Sequence, residues 1–215
     1  MFFGNTTLHL VNFSPLYADD LHLKNTKTTT NGVDWNSMLG LLVRLKQDKN
    51  YRTYLLIATG CYFGLRIGDL LNLKWMDVFE KDEFILTEQK TGKQRKITIN
   101  AFIKETVSFV AAAETAAGKF DIHGYLFSNR QGNKITVQYA NLLLHEVFTK
   151  YNVRVQNGST HTLRKTFGKR VWDSDGKSER ALVYLSEIFS HSSIATTKKY
   201  IGITEKVIAD VYLKM

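Results

Sequence analysis

Between Ser159 and Gly202 the chain reads STHTLRKTFGKRVWDSDGKSERALVYLSEIFSHSSIATTKKYIG, and its reactive side chains are of few kinds. His161 and Arg164 stand three residues apart, His191 closes an apolar run, and Tyr200 lies beside two lysines. The stretch offers no carboxylate pair and no Cys/His cluster with metal-ligand spacing. Imidazoles, a forked guanidinium and a phenolic hydroxyl together suit attack on a phosphodiester. The cations match the charge on the phosphate oxygens, and the phenol is the nucleophile. An H-x-x-R pair alone is unspecific, because such pairs recur by chance.

The elements that must position these groups follow from periodicity. Ser159 or Thr160 caps a helix whose first turn carries His161 and Arg164 on one face. ALVYLSEIFS forms a second helix ending near His191, and TTKKY begins a third that holds Tyr200. Upstream, Trp35, Met38, Leu41, Leu42 and Leu45 repeat at helical spacing, and another helix starts near Tyr51. Gly64 reads as its C-cap, and a short helix from about Arg66 to Leu71 puts Arg66 at a helix start, facing a cleft. Asp69 is expected to brace Arg66 as an i,i+3 pair, the alternative being an unrelated surface pair.

WMDVF, EFILTEQ and RKITI read as three β runs joined by EKD and KTGK. The KTGK turn gathers Lys90, Lys93, Arg95 and Lys96. It is either a solvated basic hairpin or a device that brings a lysine to a leaving group as general acid. Asn100 caps the helix FIKETVSFVAAAETAA, YLFSNRQGNKIT is extended and then turns, and residues 137–150 are helical. His145 reads as a boundary residue, and His9, His22 and His123 have no chemical company. The EKVIADVYLKM tail is an amphipathic helical stretch.

Composition bounds the setting. The chain has 215 residues, 44% hydrophobic and 23% charged, with one proline, which suits a globular chain of one domain with a short appendage. Lys and Arg number 29 against 20 Asp and Glu, a formal charge of +9 that favours a polyanionic partner. Cys61 lies in an apolar run and reads as a small core residue in a reducing compartment. With no run near the ~18 apolar residues of a membrane span, a cytoplasmic protein is expected. Residues 1–31 lack sustained periodicity and read as an arm or linker remnant, with residues 32–215 as the working domain.

Four blocks in this order resemble the tyrosine recombinases, which include phage and conjugative-element integrases. TGCYFGLRIGDLLNLKW is similar to the family's T-G-x-R-x-x-E-L-x-x-L-x-W segment. QKTGKQRKITI is similar to its K-T-G-K turn and following strand, HTLRKTF to H-x-L-R-x-T-F, and FSHSSIATTKKY to L-G-H-S-S-x-x-T-T-x-x-Y. The resemblance covers about Trp35 to Met215. It implies a mainly helical α+β catalytic-domain fold with a small three-stranded antiparallel sheet. It also implies a site of Arg66, Lys90, His161, Arg164, His191 and Tyr200, working on double-stranded DNA without metal, ATP or other cofactor.

By the same resemblance Arg66 and Arg164 clamp the phosphate, and Lys90 protonates the departing 5′ oxygen. His161 serves proton transfer or phosphate contact, His191 bonds a non-bridging oxygen, and Tyr200 forms a 3′-phosphotyrosyl link. Its further implications are a monomer in solution, a homotetramer on nucleoid DNA with the tail docked on a neighbour, and accessory DNA-bending proteins. A DNA-binding regulatory or excision module, and topoisomerase-like relaxation of supercoils, are the alternatives. Three positions depart from the pattern: Ser190 stands for glycine, Asp69 for glutamate and Lys165 for a frequent histidine. The family's N-terminal DNA-clamping domain is expected to be absent.

Overall fold

The computed structural model describes residues 29–203 together with 212 and 213. The expected arm thus lies outside the described residues except for its last three, and the EKVIADVYLKM tail except for Tyr212 and Leu213.

The helix at the centre is α2 (Tyr51–Phe63), buried on nearly every side from Thr53 to Cys61, as a helix apolar all round must be. Helix α1 (Trp35–Gln47) covers it with Met38, Leu41, Leu42 and Leu45, and α5 (Ala101–Ala116) covers it with Ile103, Val107 and Val110. Asn100 caps α5 by accepting from the Ile103 amide at 2.9 Å. Burial pushes the Cys61 thiol up to about 12, so it is an inert core residue. Gly64 ends α2 at φ 58, and a Cβ there would sit 2.4 Å from the Phe167 ring. Glycine is required twice over, for the left-handed backbone and for the close approach.

Beyond Gly64 comes α3 (Ile67–Leu71) with Arg66 as its N-cap residue. WMDVF is not a strand. Trp75–Val78 forms α4, one helical turn, because the Asp77 carboxylate accepts from the Lys74 amide at 2.8 Å and turns the chain. Among the described residues the sheet therefore has two strands rather than the expected three. Strand β1 (Glu83–Thr87) pairs antiparallel with β2 (Gln94–Thr98), with Leu86 opposite Arg95. Phe84 and Ile97 enter the core while Ile85 faces out.

The second half is α6 (Val137–Lys150), α7 (Thr160–Ser174), α8 (Glu179–Phe189) and α9 (Ile194–Ile201). Helix α7 packs along α2 so closely that a Cβ on Gly60 would lie 2.6 Å from Leu163. Its start is locked by the Ser159 amide donating to Thr162 Oγ1 at 3.0 Å. Helices α8 and α9 close over the open side of α7, with Phe189 fully buried between them.

Candidate active site

Arg164 is buried, yet it is a cation, so its donors must be satisfied. Nη1 donates to the Gly64 carbonyl at 2.8 Å and Nη2 to the Phe189 carbonyl at 2.9 Å, with the guanidinium 4.2 Å over the Phe189 ring. Burial lowers its pKa to about 10, which leaves it charged at neutral pH. Arg66 comes from far upstream in the chain, and its Nη2 donates to the same Phe189 carbonyl at 2.9 Å. One oxygen thus gathers both guanidiniums, close enough for a single phosphate to meet both.

Asp69 does not brace Arg66. Its Oδ1 accepts from the Gln89 amide at 2.9 Å and ties α3 to the hairpin. Arg66 is the N-cap residue with extended backbone, outside the helical register that an i,i+3 pair needs. Its partner is Glu88, at the end of the hairpin's first strand, 2.8 Å away.

Glu88 is the residue that the sequence reading missed. Oε2 also accepts from Thr91 at 2.6 Å and from Ser190 at 3.0 Å, while Oε1 accepts from Arg95 at 3.1 Å. Burial pushes its carboxyl upward, but these four bonds outweigh burial and hold it at about 2. The basic hairpin is thereby divided. Arg95 turns inward to Glu88, Lys96 pairs with exposed Glu83 at 2.7 Å, and Lys90 on the turn faces the cavity. The only hint in the sequence was a lone acid next to the KTGK turn.

Ser190 occupies the left-handed region at φ 49 and ψ 46 as the C-cap of α8, a conformation that favours glycine. Its hydroxyl bond to Glu88 offsets that cost. Ser190→Ala, which keeps the strain and loses the bond, is expected to destabilise the fold by about 1–2 kcal/mol. Ser190→Gly should cost about 1 kcal/mol less than that. Denaturant titration of the two variants checks the order, and an alanine variant as stable as wild type would remove the bond's contribution.

His191 follows, its Nδ1 3.0 Å from Thr197 Oγ1. Tyr200 on α9 packs edge-on against His191 and Phe189, with centroids 5.1 and 5.3 Å away. A cavity of about 510 Å³ opens among these groups, lined by all of Arg66, Lys90, His161, Arg164, His191 and Tyr200. By contrast His123 and His145 are exposed elsewhere. His9 and His22 lie outside the described residues.

Partial desolvation at the cavity wall lowers the pKa of His161, which keeps an exposed face, helped by Lys165 and Arg164. It lowers that of His191 with help from Arg164, Arg66 and Lys90. Both imidazoles are therefore neutral at neutral pH and can accept a proton. Burial raises the Tyr200 phenol against the pull of Arg164 and Arg66, so it is protonated at rest. Among the described residues no group of three or more His, Cys, Asp or Glu could hold a metal ion, and the cavity's charge comes from side-chain cations.

The model of the phage integrase family matches residues 34–206, most of the chain. The chain belongs to the phage integrase family. It is 33% identical over 166 residues to the probable integrase/recombinase YoeC of Bacillus subtilis, covering 77% of this chain and 85% of that one. It is 29% identical over 212 residues to a probable integrase/recombinase of Acholeplasma phage L2, covering 94% of this chain and 62% of that one. Of a tyrosine recombinase XerH of Campylobacter jejuni it spans 42%, matching 72% of its own length at 22% identity.

Solved structures show the same fold at lower identity. One is the XerH site-specific recombinase in a post-cleavage complex with a palindromic difH substrate, at TM-score 0.65 and 18% identity, covering 85% of this chain and 52% of that one. Another is the Tn1549 transposon integrase with transposon right-end DNA, at TM-score 0.65 and 22% identity, covering 88% and 67%. This phage integrase family chain thus spans 85% of one relative and from about two fifths to two thirds of the others.

Proposed function

We propose that this phage integrase family member is a site-specific DNA recombinase that breaks and rejoins duplex DNA through a phosphotyrosine, with residues 32–215 as the breaking and rejoining domain. The observation that carries the reading is the shared cavity. Six side chains from the α3 start, the hairpin turn, α7, the α8–α9 connection and α9 line it, and one carbonyl holds both arginines.

In this reading Arg66 and Arg164 present their remaining N–H donors to the non-bridging oxygens of one phosphodiester, with His191 and His161 beside them. The Tyr200 oxygen attacks phosphorus, and its proton passes to a neutral imidazole of the cavity. The bond from phosphorus to the 5′ oxygen breaks, and Lys90 protonates that oxygen. The new ester keeps the bond energy, so a 5′ hydroxyl of another strand can reverse the step without ATP. Relatives described with difH substrate and transposon-end DNA support duplex DNA as the partner, as does the charge of +9. Assembly as a tetramer on DNA belongs to the same proposal.

The test is a pool of randomised duplexes carrying a nick, incubated with the protein in chelator and without nucleotide. A denaturant-stable protein–DNA adduct enriched for particular sequences is expected. Binding without any adduct would leave a DNA-binding regulatory module and overturn the proposal. Relaxation of plasmid supercoils without sequence preference would convert it to a topoisomerase.

A further inference from the structure

Lys165 is the neighbour of Arg164 on α7, but it stands apart from the cavity lining. Its Nζ lies over the ring of Tyr200, 5.2 Å from the centroid, and donates to the Thr30 carbonyl at 2.7 Å. A half-buried ammonium held by a carbonyl and an aromatic face gains more from the ring than one in water does. Burial alone lowers its pKa.

The Thr30 carbonyl is itself held in place. Thr30 is buried, and its hydroxyl shares a 2.8 Å hydrogen bond with Thr162 Oγ1. The Val33 amide donates to Thr166 Oγ1 at 2.9 Å, and Asn157 Nδ2 donates to the Thr29 carbonyl at 3.2 Å. Thr162, Lys165 and Thr166 form one face of α7, while His161 and Arg164 turn toward the cavity. At Gly32 the two backbones nearly touch: a Cβ there would lie 2.9 Å from the Lys165 carbonyl carbon and the Thr166 nitrogen. Segment 29–33 is therefore fitted to the back of the helix that carries the arginine clamp.

We propose that Lys165 is a positioning residue for Tyr200, fixing the ring over which its ammonium lies, and that segment 29–33 docked on α7 holds Lys165 in that role. The proposal rests on the reading of Tyr200 as nucleophile. Around the Tyr200 ring stand Arg164 and Lys165 from α7, Arg66 from the start of α3, and His191 from the α8–α9 connection. His161 is the titratable neighbour of Lys165, one turn before it. Arg66 and Arg164 are anchored on the Gly64 and Phe189 carbonyls at helix ends beside the cavity, whereas Lys165 is anchored on Thr30, in the segment that precedes α1. Displacing that segment releases the ammonium, and the ring loses its cationic face.

The experiment uses the full chain labelled with 3-fluorotyrosine and read by fluorine NMR, the Tyr200 resonance being assigned by its loss in Tyr200→Phe. Lys165→Met is expected to shift and broaden that resonance while leaving the other tyrosines in place, and Lys165→Arg to restore it. Gly32→Ala, which keeps the lysine and dislodges the segment, should move the same resonance in the same direction. Thr30→Val is a milder second displacement should Gly32→Ala lower the melting temperature.

In single-turnover adduct formation, Lys165→Met should lower the saturating rate about tenfold, within the range of a desolvated cation–π contact. The DNA concentration at half-saturation should stay unchanged. An unmoved Tyr200 resonance in Lys165→Met overturns the proposal, and one unmoved in both segment variants overturns the part assigned to residues 29–33. An adduct that persists in Tyr200→Phe refutes the nucleophile reading instead, while the fluorine shifts still decide the contact.

Discussion

Tyr200→Phe is expected to abolish the covalent protein–DNA adduct while leaving fold and DNA affinity nearly unchanged. The phenylalanine ring keeps the edge-on packing on Phe189 and His191, so the melting temperature should hold. Both guanidiniums and Lys90 remain in the cavity, so the salt dependence of binding should hold as well. What goes is the oxygen that would bond to phosphorus, and with it at least ~10⁴-fold in rate, as for other removed nucleophiles. Gel separation of denatured adducts reads the loss, and an adduct of undiminished yield would give the nucleophile's role to another residue. The wild-type rate should also fall on acidification. Tyr200 is protonated at rest, and as the proposed nucleophile it would hand its proton to a neutral base. His161 and His191, with pKa values depressed below 6.5, lose that capacity only on the acid side of that value.

The parts of this site that were legible in the sequence are those whose geometry is local. Thr160, His161 and Arg164 share a helix start, and an i,i+3 spacing on a helix dictates a shared face. The KTGK turn between β-rich runs fixes where Lys90 stands. Gly64 before Arg66 marks a helix end with a sharp change of direction. The parts that failed depend on partners far along the chain or on one side chain's choice. Nothing near Glu88 announces Ser190, 102 residues away, and without Ser190 and Arg95 the carboxylate looks like a surface acid. The WMDVF run has strand composition, but Asp77 caps Lys74 and commits it to a helical turn, which five residues of periodicity cannot decide. Ser190 itself looked like a departure from the family's glycine. Its left-handed backbone is the conformation for which glycine is chosen, and its hydroxyl adds a tether that glycine lacks.

Glu88→Gln is expected to be the costliest change outside the reacting groups, because a side chain of equal size cannot serve the same donors. The carboxylate is 1% exposed and accepts from Arg66, Thr91 and Ser190 on Oε2 and from Arg95 on Oε1. An amide has one acceptor oxygen, so its NH₂ must face at least one guanidinium. Arg66 and Arg95 are then uncompensated beside buried Arg164, and a loss of about 2–4 kcal/mol follows, as when one member of a buried ion pair is removed. The sign with pH is set by the depressed carboxyl. With a folded pKa of about 2 against 4.5, its contribution is complete above 4.5 and is lost as pH falls through about 2. The stability gap between wild type and variant should therefore be constant from neutral pH to about 5 and close progressively below it. Adduct formation should slow by about 10²-fold, since Arg66 loses its tether and the turn bearing Lys90 loses the Thr91 anchor. DNA binding should tighten, one negative charge having left a cationic cavity. Slower chemistry with tighter binding separates this carboxylate from a purely structural one, whose loss would weaken both together. A stability gap that persisted undiminished to pH 3 would assign the effect to packing and remove the charge of Glu88 as its cause.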